Sequence, residues 1–206
     1  MSHFPAMPFE EYSAALASDA PTPGGGGASA AVAAMGAALA GMVCSLTSGK
    51  ARYAAHQEEI EALLAETEEL RLRLERLMDE DAAAFEPLSR AYKIPKDDPN
   101  REAELEKCLR AAARPPMEML RLSCRAILIH QRLEQIGSTM ALSDVGTGAV
   151  FCWAAMYGSA MNVLANTHLM KDRDYAETLN AECGSLMAGH WQIADQVYES
   201  VWERLK

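Results

Sequence analysis

The segment from Ala51 to about Tyr92 constrains the fold more than any other part of the chain. It is rich in Ala, Leu, Glu and Arg, which are strong helix formers. Its apolar side chains recur at steps of three, four, seven or eight residues, at Ile60, Leu63, Leu70, Leu74, Leu77, Phe85 and Leu88. A helix of this length spans roughly 60 Å, and only other long helices can bury its apolar stripe. The sequence therefore predicts a helical bundle.

The remaining segments also favour helices, because runs of β-branched residues and Asn-Gly or Asp-Gly hairpin turns are missing. We predict five further helices: Pro8 to about Ser18, Ala28 to about Ser48, Arg101 to about Glu134 with an interruption at Pro115-Pro116, a helix capped by Ser143 and extending to about Met170, and a last one from about Asp174. Loops are predicted at residues 19–27, 93–100 and 136–143. The predicted fold is all-α, a bundle of about six long helices with one core, forming a single domain over residues 1–206.

The charge balance narrows the range of partners. The 206 residues carry 29 acidic and 19 basic side chains, a formal net charge of −10. Nucleic acids and anionic lipids are bound mainly through Lys and Arg, so we expect neither nucleic acid nor a membrane as a partner.

Cysteine usage and the N-terminus indicate a cytoplasmic protein. The five cysteines are odd in number and form no CxxC pair, which is typical of reduced, buried thiols. The N-terminal residues lack the charged-then-apolar layout of a signal peptide. Two uncharged stretches, residues 28–49 and 145–170, are interpreted as core helices. The first is mostly Ala, Gly and Ser, and the second contains Asn and His side chains that are costly in lipid.

The motif PTPGGGGAS, which leads into the second predicted helix, is the first candidate site. After Pro23, the residues Gly24, Gly25, Gly26 and Gly27 lack a Cβ, so their backbone amides can approach a ligand at the positive end of a helix dipole. The motif is not a P-loop, which ends in Gly-Lys-Ser/Thr, and no strand precedes it as in a dinucleotide fingerprint. The alternative is a tight turn beside a close helix crossing. Four consecutive glycines exceed what a turn requires.

Asp81 is the second candidate. It lies seven residues after Leu74, four after Leu77 and four before Phe85, so its carboxylate falls on the apolar stripe of the long helix. Burial of a carboxylate without a partner costs several kcal/mol and raises its pKa, which suits a general acid or base. The alternative is a capping or salt-bridged Asp near a helix kink.

Two further groups of polar residues are weaker candidates. Asp144 and Asn162 are separated by five helical turns and share one face of the fifth helix, with Asn166 one turn further. Asn side chains both donate and accept hydrogen bonds, which suits a heterocycle edge, but they can equally bridge neighbouring helices. Lys50 and Arg52 form a cationic patch that could hold a carboxylate-bearing ligand tail, or could simply face solvent.

The metal-site patterns are missing from the sequence. No Glu-x-x-His pair occurs, and the five histidines show no ligand spacing with each other or with the cysteines. We therefore expect no metal.

Three ordered motifs resemble the formimidoyltetrahydrofolate cyclodeaminase family. The stretch PTPGGGGASAAVAAMGAALAGMVCSLTSGKARY is similar to its opening signature, a T-P-G-G-G-S run, an Ala-rich helix and M-V-x-x-L-T-x-G-K-x-x-Y. The run DEDAAAF, from Asp79 to Phe85, resembles the second signature, Asp-Ala-x-Ala-Phe. The runs SDVGTGA and NVLAN, between Ser143 and Asn166, resemble the third. Together they cover nearly the whole chain.

The resemblance implies an all-α homodimer that uses tetrahydrofolate as a carrier substrate and no metal. Its activity would be conversion of 5-formimidoyl-tetrahydrofolate to 5,10-methenyltetrahydrofolate with release of ammonia. Asp81 matches the proposed catalytic Asp of the family. By the same resemblance the residues that hold the folate are Pro23, Gly24, Gly25, Gly26, Gly27, Asp144, Asn162 and Asn166, with Lys50 and Arg52 at its glutamate tail.

Two alternatives to cyclodeamination stay open. Some free-standing relatives are methenyltetrahydrofolate cyclohydrolases, which add water to the same carbon. A helical interaction protein that keeps the fold without activity is the other, although retention of Asp81, Asp144 and both Asn residues argues against it.

Overall fold

The computed structural model describes residues 3–206, and every regular element in that range is helical. Six α-helices form the bundle, and the first is much shorter than the others. Their bounds are Phe9–Leu16 (α1), Gly25–Thr47 (α2), Gln57–Ala91 (α3), Arg101–Ile136 (α4), Leu142–Thr167 (α5) and Arg173–Leu205 (α6). Short 3-10 turns precede α1, α3 and α5, at Phe4–Ala6, Ala51–His56 and Thr139–Ala141. The all-α bundle of about six helices is confirmed.

Small residues bring α2 and α5 into close contact at the centre of the bundle. Gly36 on α2 lies against Cys152 on α5, and Gly158 on α5 lies against Ser29 on α2, so that an added Cβ at either glycine would overlap its neighbour. The Ala side chains of α2 that face inward are wholly buried, at Ala30, Ala33, Ala37 and Ala40. Because these side chains are small, the two backbones approach closely and α5 can also contact α4 and α6.

The helices α2 and α5 contain most of the two stretches that the sequence predicts as core helices. By length and composition alone each could cross a membrane, with mean hydropathy of 1.8 around α2 and 1.3 around α5. In the bundle, 50% and 44% of their most apolar windows are buried. All five cysteines are buried and unpaired, as predicted.

Ion pairs fix the register of α3 against α4. Three Arg–Glu pairs join the two helices, Arg132 with Glu59, Arg125 with Glu66 and Arg73 with Glu118. Each step of seven residues along α3 matches an opposite step of seven along α4, which is the pattern of antiparallel neighbours. Partly exposed pairs of this kind add only about 0–1 kcal/mol each, so their main effect is on alignment.

Three helix starts differ from the prediction. The long helix α3 begins at Gln57 and not at Ala51, because Ala51–His56 form a 3-10 helix. Helix α2 begins at Gly25 and not at Ala28, because Gly24 takes an extended conformation as N-cap and the next three glycines are already helical. Helix α5 is not capped by Ser143, since Ala141 occupies the N-cap position without a side-chain hydrogen bond. Glycine has a low propensity inside a helix and alanine is a poor N-cap, so the sequence predicts the starts of α2 and α5 too late.

The predicted interruption of α4 at Pro115-Pro116 is also wrong. The helix continues through both prolines, which are buried. Proline at position 116 removes the N–H that would bond the Ala112 carbonyl. That carbonyl instead accepts a hydrogen bond from the Asn166 side chain on α5, at 3.4 Å. A side chain from a neighbouring helix therefore compensates for the missing backbone bond.

The crossing of α4 and α5 depends on a glycine. The His130 ring is wholly buried, its Nε2 donates to the Gly36 carbonyl at 3.0 Å, and burial lowers its pKa to about 4, so it is neutral at pH 7. A Cβ at Gly148 would overlap this ring. We expect Gly148→Ala to destabilise the fold by about 1–3 kcal/mol in urea unfolding, because overpacking outweighs the better helix propensity of alanine.

The matched control is Gly184→Ala on α6, where nothing lies within 4 Å of the added Cβ. This variant should stabilise the protein by about 0.5–1 kcal/mol through helix propensity alone. Equal effects of the two substitutions would contradict the proposed crossing.

Candidate active site

A cavity of about 410 Å³ lies where the N-terminus of α2 meets α3 and the C-terminal half of α5. Gly24, Gly25 and Gly26 form one wall, Asp81 projects from α3, and α5 contributes Asn162 and Asn166. The structure therefore brings together candidates that are more than 130 residues apart in the chain. The cavity is large enough for part of a drug-sized ligand.

The glycine run supplies backbone donors to this cavity. Gly24 is the N-cap of α2, and the first intrahelical bond runs from the Ala28 N–H to the Gly24 carbonyl at 3.0 Å. The N–H groups of Gly25, Gly26 and Gly27 consequently have no partner within the helix. They sit at the positive end of the α2 dipole, which favours an anion or a ligand oxygen.

The Asp81 carboxylate projects from α3 and lies against the first turn of α2. Both of its oxygens lie where a Cβ on Gly26 would stand, and a backbone hydrogen bond from Gly27 reaches the carboxylate. Burial raises the pKa of Asp81 to about 6, and the Gly27 hydrogen bond opposes that rise. A carboxyl group with this pKa is present in both protonation states near neutral pH, as proton transfer in either direction requires.

The two Asn side chains form a polar row on α5. The Asn162 amide donates to the Gly158 carbonyl at 2.8 Å, and the Asn166 amide donates to the Asn162 carbonyl at 2.8 Å. Their amide nitrogens are thus used to hold the side chains in place, while within residues 3–206 their amide oxygens accept no hydrogen bond. Asn162 lies directly over the glycine loop, its nitrogen 3.3 Å from the Cβ position of Gly25. These oxygens remain able to accept from a ligand.

The other predicted site residues lie elsewhere. Pro23 is buried behind the loop and packs against Gly27. Neither of these two residues lines the cavity. Asp144 lies in the first turn of α5, eighteen residues and about 27 Å before Asn162. Lys50 and Arg52 are exposed beyond the far end of α2. One chain therefore does not bring Asp144, Lys50 or Arg52 to Asp81, and their role in binding stays a prediction.

Two aromatic side chains complete the cavity and were not predicted as site residues. Phe85 on α3 and Tyr92 at its C-cap lie four and eleven residues after Asp81, on the same side of the helix axis, and both line the cavity. The helical spacing from Asp81 was the available signal. Flat rings beside a carboxylate can pack on the faces of an aromatic ligand.

No cluster of three or more His, Cys, Asp or Glu side chains suited to a metal ion occurs within residues 3–206. The chemistry that the protein's own side chains offer in the cavity is proton transfer by Asp81 together with hydrogen bonding.

The fold and the cavity define a class of all-α protein in which one partly buried carboxylate lies at a helix N-terminus and faces a ligand-sized cavity. The sequence profile described as Formiminotransferase-cyclodeaminase matches residues 8–185. The chain belongs to this family.

Full-length relatives include two free-standing proteins. A methenyltetrahydrofolate cyclohydrolase of Methylorubrum extorquens is 34% identical over 93% of this chain and 94% of its own. The crystal structure of formiminotetrahydrofolate cyclodeaminase from Thermotoga maritima superposes with a TM-score of 0.84, at 30% identity, over 95% of this chain and 98% of its own. The formimidoyltransferase-cyclodeaminase of Rattus norvegicus is 32% identical over 80% of this chain, which spans 31% of that longer protein.

A methyl group at position 26 tests the contact between α2 and Asp81. We expect Gly26→Ala to displace the carboxylate and to abolish its raised pKa, because the new Cβ overlaps both oxygens. Gly24→Ala is the control, since nothing lies within 4 Å of its Cβ and its extended backbone conformation is allowed for alanine. The pKa of Asp81 can be followed by carboxyl carbon NMR in both variants. An unchanged pKa in Gly26→Ala would contradict the geometry.

The burial of Asp81 also predicts a pH-dependent stability. Its folded pKa of about 6 lies above the unfolded value of 3.8, so the folded state disfavours ionisation. Asp81→Asn should therefore stabilise the protein above pH 6, by at most about 3 kcal/mol, and this gain should fall to zero as the pH drops from 6 to 3.8. Urea unfolding of both proteins across this range measures the difference. A gain independent of pH would show that Asp81 ionises freely.

Proposed function

We propose that this chain is a folate one-carbon enzyme that acts on the carbon bridging N5 and N10 of tetrahydrofolate. The observation that carries the proposal is the Asp81 carboxyl group, with a pKa near 6, in a cavity walled by free backbone N–H groups and two Asn side chains. Relatives over the full length of the chain are named for the two reactions at this carbon. The principal candidate is cyclodeamination of 5-formimidoyl-tetrahydrofolate.

Cyclodeamination requires one internal proton transfer. N10 of the folate attacks the carbon of the formimidoyl group, whose imino nitrogen is protonated, and this gives a tetrahedral intermediate with the carbon bonded to N5, N10 and an amino group. Ionised Asp81 takes the proton from N10 and delivers it to the amino group. The carbon–nitrogen bond then breaks, ammonia leaves and the cationic methenyl bridge remains. One carboxyl group serves as base and then as acid, which is why a pKa close to the working pH is suitable.

The walls of the cavity provide the binding groups for the folate. The free N–H groups at the start of α2 suit a carbonyl oxygen of the pterin ring, and the Asn162 and Asn166 oxygens suit its ring N–H and amino groups. Phe85 and Tyr92 offer ring faces to the aromatic parts of the ligand. The ionised Asp81 also stabilises the positive charge of the methenyl bridge by Coulomb attraction.

Cyclohydrolase activity is the second candidate, favoured by the cyclohydrolase of Methylorubrum extorquens, which matches along nearly its whole length. In that reaction Asp81 would take a proton from a water molecule as it attacks the methenyl carbon. The bond from carbon to N5 then breaks, N5 gains a proton, and one proton leaves to solvent. The same carboxylate would serve both reactions, because both have an amine-bearing tetrahedral carbon at the same place.

Homodimer formation and a cytoplasmic location remain part of the proposal. Asp144, Lys50 and Arg52 lie about 27 Å or more from the cavity along α5 and α2, so in one chain they do not reach a folate bound at Asp81. Their predicted contact with the substrate and its glutamate tail therefore depends on a second copy of the chain.

Absorbance of the 5,10-methenyl chromophore tests the function directly. One reaction starts from 5-formimidoyl-tetrahydrofolate and a second from the methenyl compound. A rise of absorbance in the first supports cyclodeamination, and faster loss in the second alone supports cyclohydrolase activity. Rates equal to those in buffer would overturn the enzyme proposal and favour the helical interaction protein.

The Asp81→Asn variant tests the assignment of the catalytic group. We expect turnover to fall by about 100-fold or more, because general acid–base catalysis contributes on the order of 10²–10⁴. Folate binding should persist, since the amide keeps the size of the carboxylate. Asp195→Asn, at an exposed position on α6, is the control and should keep full activity. If Asp81→Asn turns over within a few-fold of the unaltered protein, the carboxylate serves only to cap α2.

A further inference from the structure

Tyr12, on the short helix α1, has a buried hydroxyl group without a partner. The residue is 7% exposed, and its ring packs edge-on against Phe4 with ring centroids 5.9 Å apart. Within residues 3–206, its oxygen is one of three buried side-chain polar atoms that make no hydrogen bond. An unsatisfied buried hydroxyl is unfavourable, so its retention requires an explanation.

The hydroxyl approaches the Asp81 site from behind the glycine loop. Its oxygen lies 3.4 Å from the position of a Cβ on Gly27, the residue whose backbone bonds the Asp81 carboxylate. Tyr12 lines a separate groove of about 250 Å³ between α1, α2 and α3 and not the Asp81 cavity itself. The phenol and the substrate cavity therefore flank the carboxylate on different sides.

Asp81 is the charged group close enough to act on this phenol electrostatically. Burial raises the pKa of Tyr12, and the negative charge of Asp81 raises it further. In the same groove Arg71 is paired with Glu75 on α3, at 2.6 Å. Asp79 is occupied by His3 and by the Phe4 N–H. Helix α2 has no charged side chain, and α5 presents neutral amides to the site.

A carboxylate has room for another donor. Its two oxygens offer about four lone-pair sites, and the Gly27 hydrogen bond uses one of them. Hydrogen bonds at catalytic groups are often long in substrate-free proteins and tighten in the working complex. A single water molecule can also bridge such a gap.

We infer that Tyr12 is a positioning residue whose phenol O–H donates a hydrogen bond to the ionised Asp81 carboxylate, directly or through one water. The role rests on the proposed function, in which that carboxylate is the base. With Gly27 and Tyr12 both donating from behind, the carboxylate keeps its remaining lone pairs turned toward the substrate. The hydrogen bond forms with the ionised carboxylate and so favours proton removal from the substrate.

The first test needs no substrate. The free energy of unfolding is measured from roughly pH 3 to pH 9 for the unaltered protein, Tyr12→Phe, Asp81→Asn and the double variant, a range that spans both pKa values of Asp81. The effect of Asp81→Asn in each background gives the folded pKa of Asp81. Loss of a donor to the charged form should raise that pKa by about one unit in Tyr12→Phe. Tyr198→Phe, on the outer face of α6, is the control and should not shift it.

Two outcomes of this cycle are distinct. If Tyr12→Phe leaves the pKa of Asp81 unchanged and stabilises the protein equally at every pH, the hydroxyl is an idle buried group and the inference is overturned. If the pKa rises, the hydrogen bond is established whether or not the chain turns over a folate.

The second test uses activity. The pH dependence of kcat should show an acid limb that Asp81→Asn removes, and Tyr12→Phe should move this limb up by about one pH unit while KM stays within a few-fold. A lower kcat at all pH values with no movement of the limb would contradict positioning through Asp81. Absence of activity in the unaltered protein would overturn the proposed function and leave the unfolding result on Tyr12 intact.

Discussion

The contact between the Asp81 carboxylate and the start of α2 is the interaction on which the rest of the site depends. Helix α2 has no side-chain N-cap of its own, and its first three N–H groups belong to glycines. A carboxylate from α3 takes that position, and the absence of a Cβ at Gly26 is what allows it to approach. The positive field at the helix end favours the ionised form of Asp81, whereas burial disfavours it. The effect of burial is larger, so the pKa of Asp81 remains above its usual value.

The placement of this contact follows from how the helices are aligned. The antiparallel Arg–Glu pairs set α3 against α4 so that Ala112 lies beside the cavity that Asp81 enters. There the carbonyl of Ala112, freed by Pro116, takes the Asn166 amide and ties α4 to α5. Asn166 therefore bridges two helices and also lines the cavity, so the structural and the ligand-binding interpretations of this residue are compatible. The Asn side chains at this position supply a hydrogen bond to the unpaired backbone carbonyl and leave their amide oxygens available to a ligand.

The helical periodicity of the sequence predicted the positions of Asp81 and Asn162, because residue spacing determines the face of the helix on which a side chain lies. The same reasoning grouped Asp144 with Asn162, since five whole turns preserve azimuth, but it carries no limit on distance, and about 27 Å separates them. The start of α2 was missed because glycine has the weakest helix propensity of the ordinary residues, and tertiary packing overrides that preference here. Tyr12 gave no signal at all, because its relation to Asp81 arises only when α1 folds over the α2–α3 junction.

The two candidate reactions make different demands on the proton held by Asp81. Cyclodeamination moves one proton from N10 to the departing amine, so the carboxyl group ends each cycle as it began. Water addition releases a proton, which must pass from the site to solvent before the next cycle. The hydrogen bond inferred for the Tyr12 phenol, which lies in a groove outside the substrate cavity, would give the carboxylate a second neighbour while substrate covers the first side. That arrangement makes the protonation state of Asp81 depend on groups the substrate does not touch, which suits either reaction and is most useful where a proton must leave.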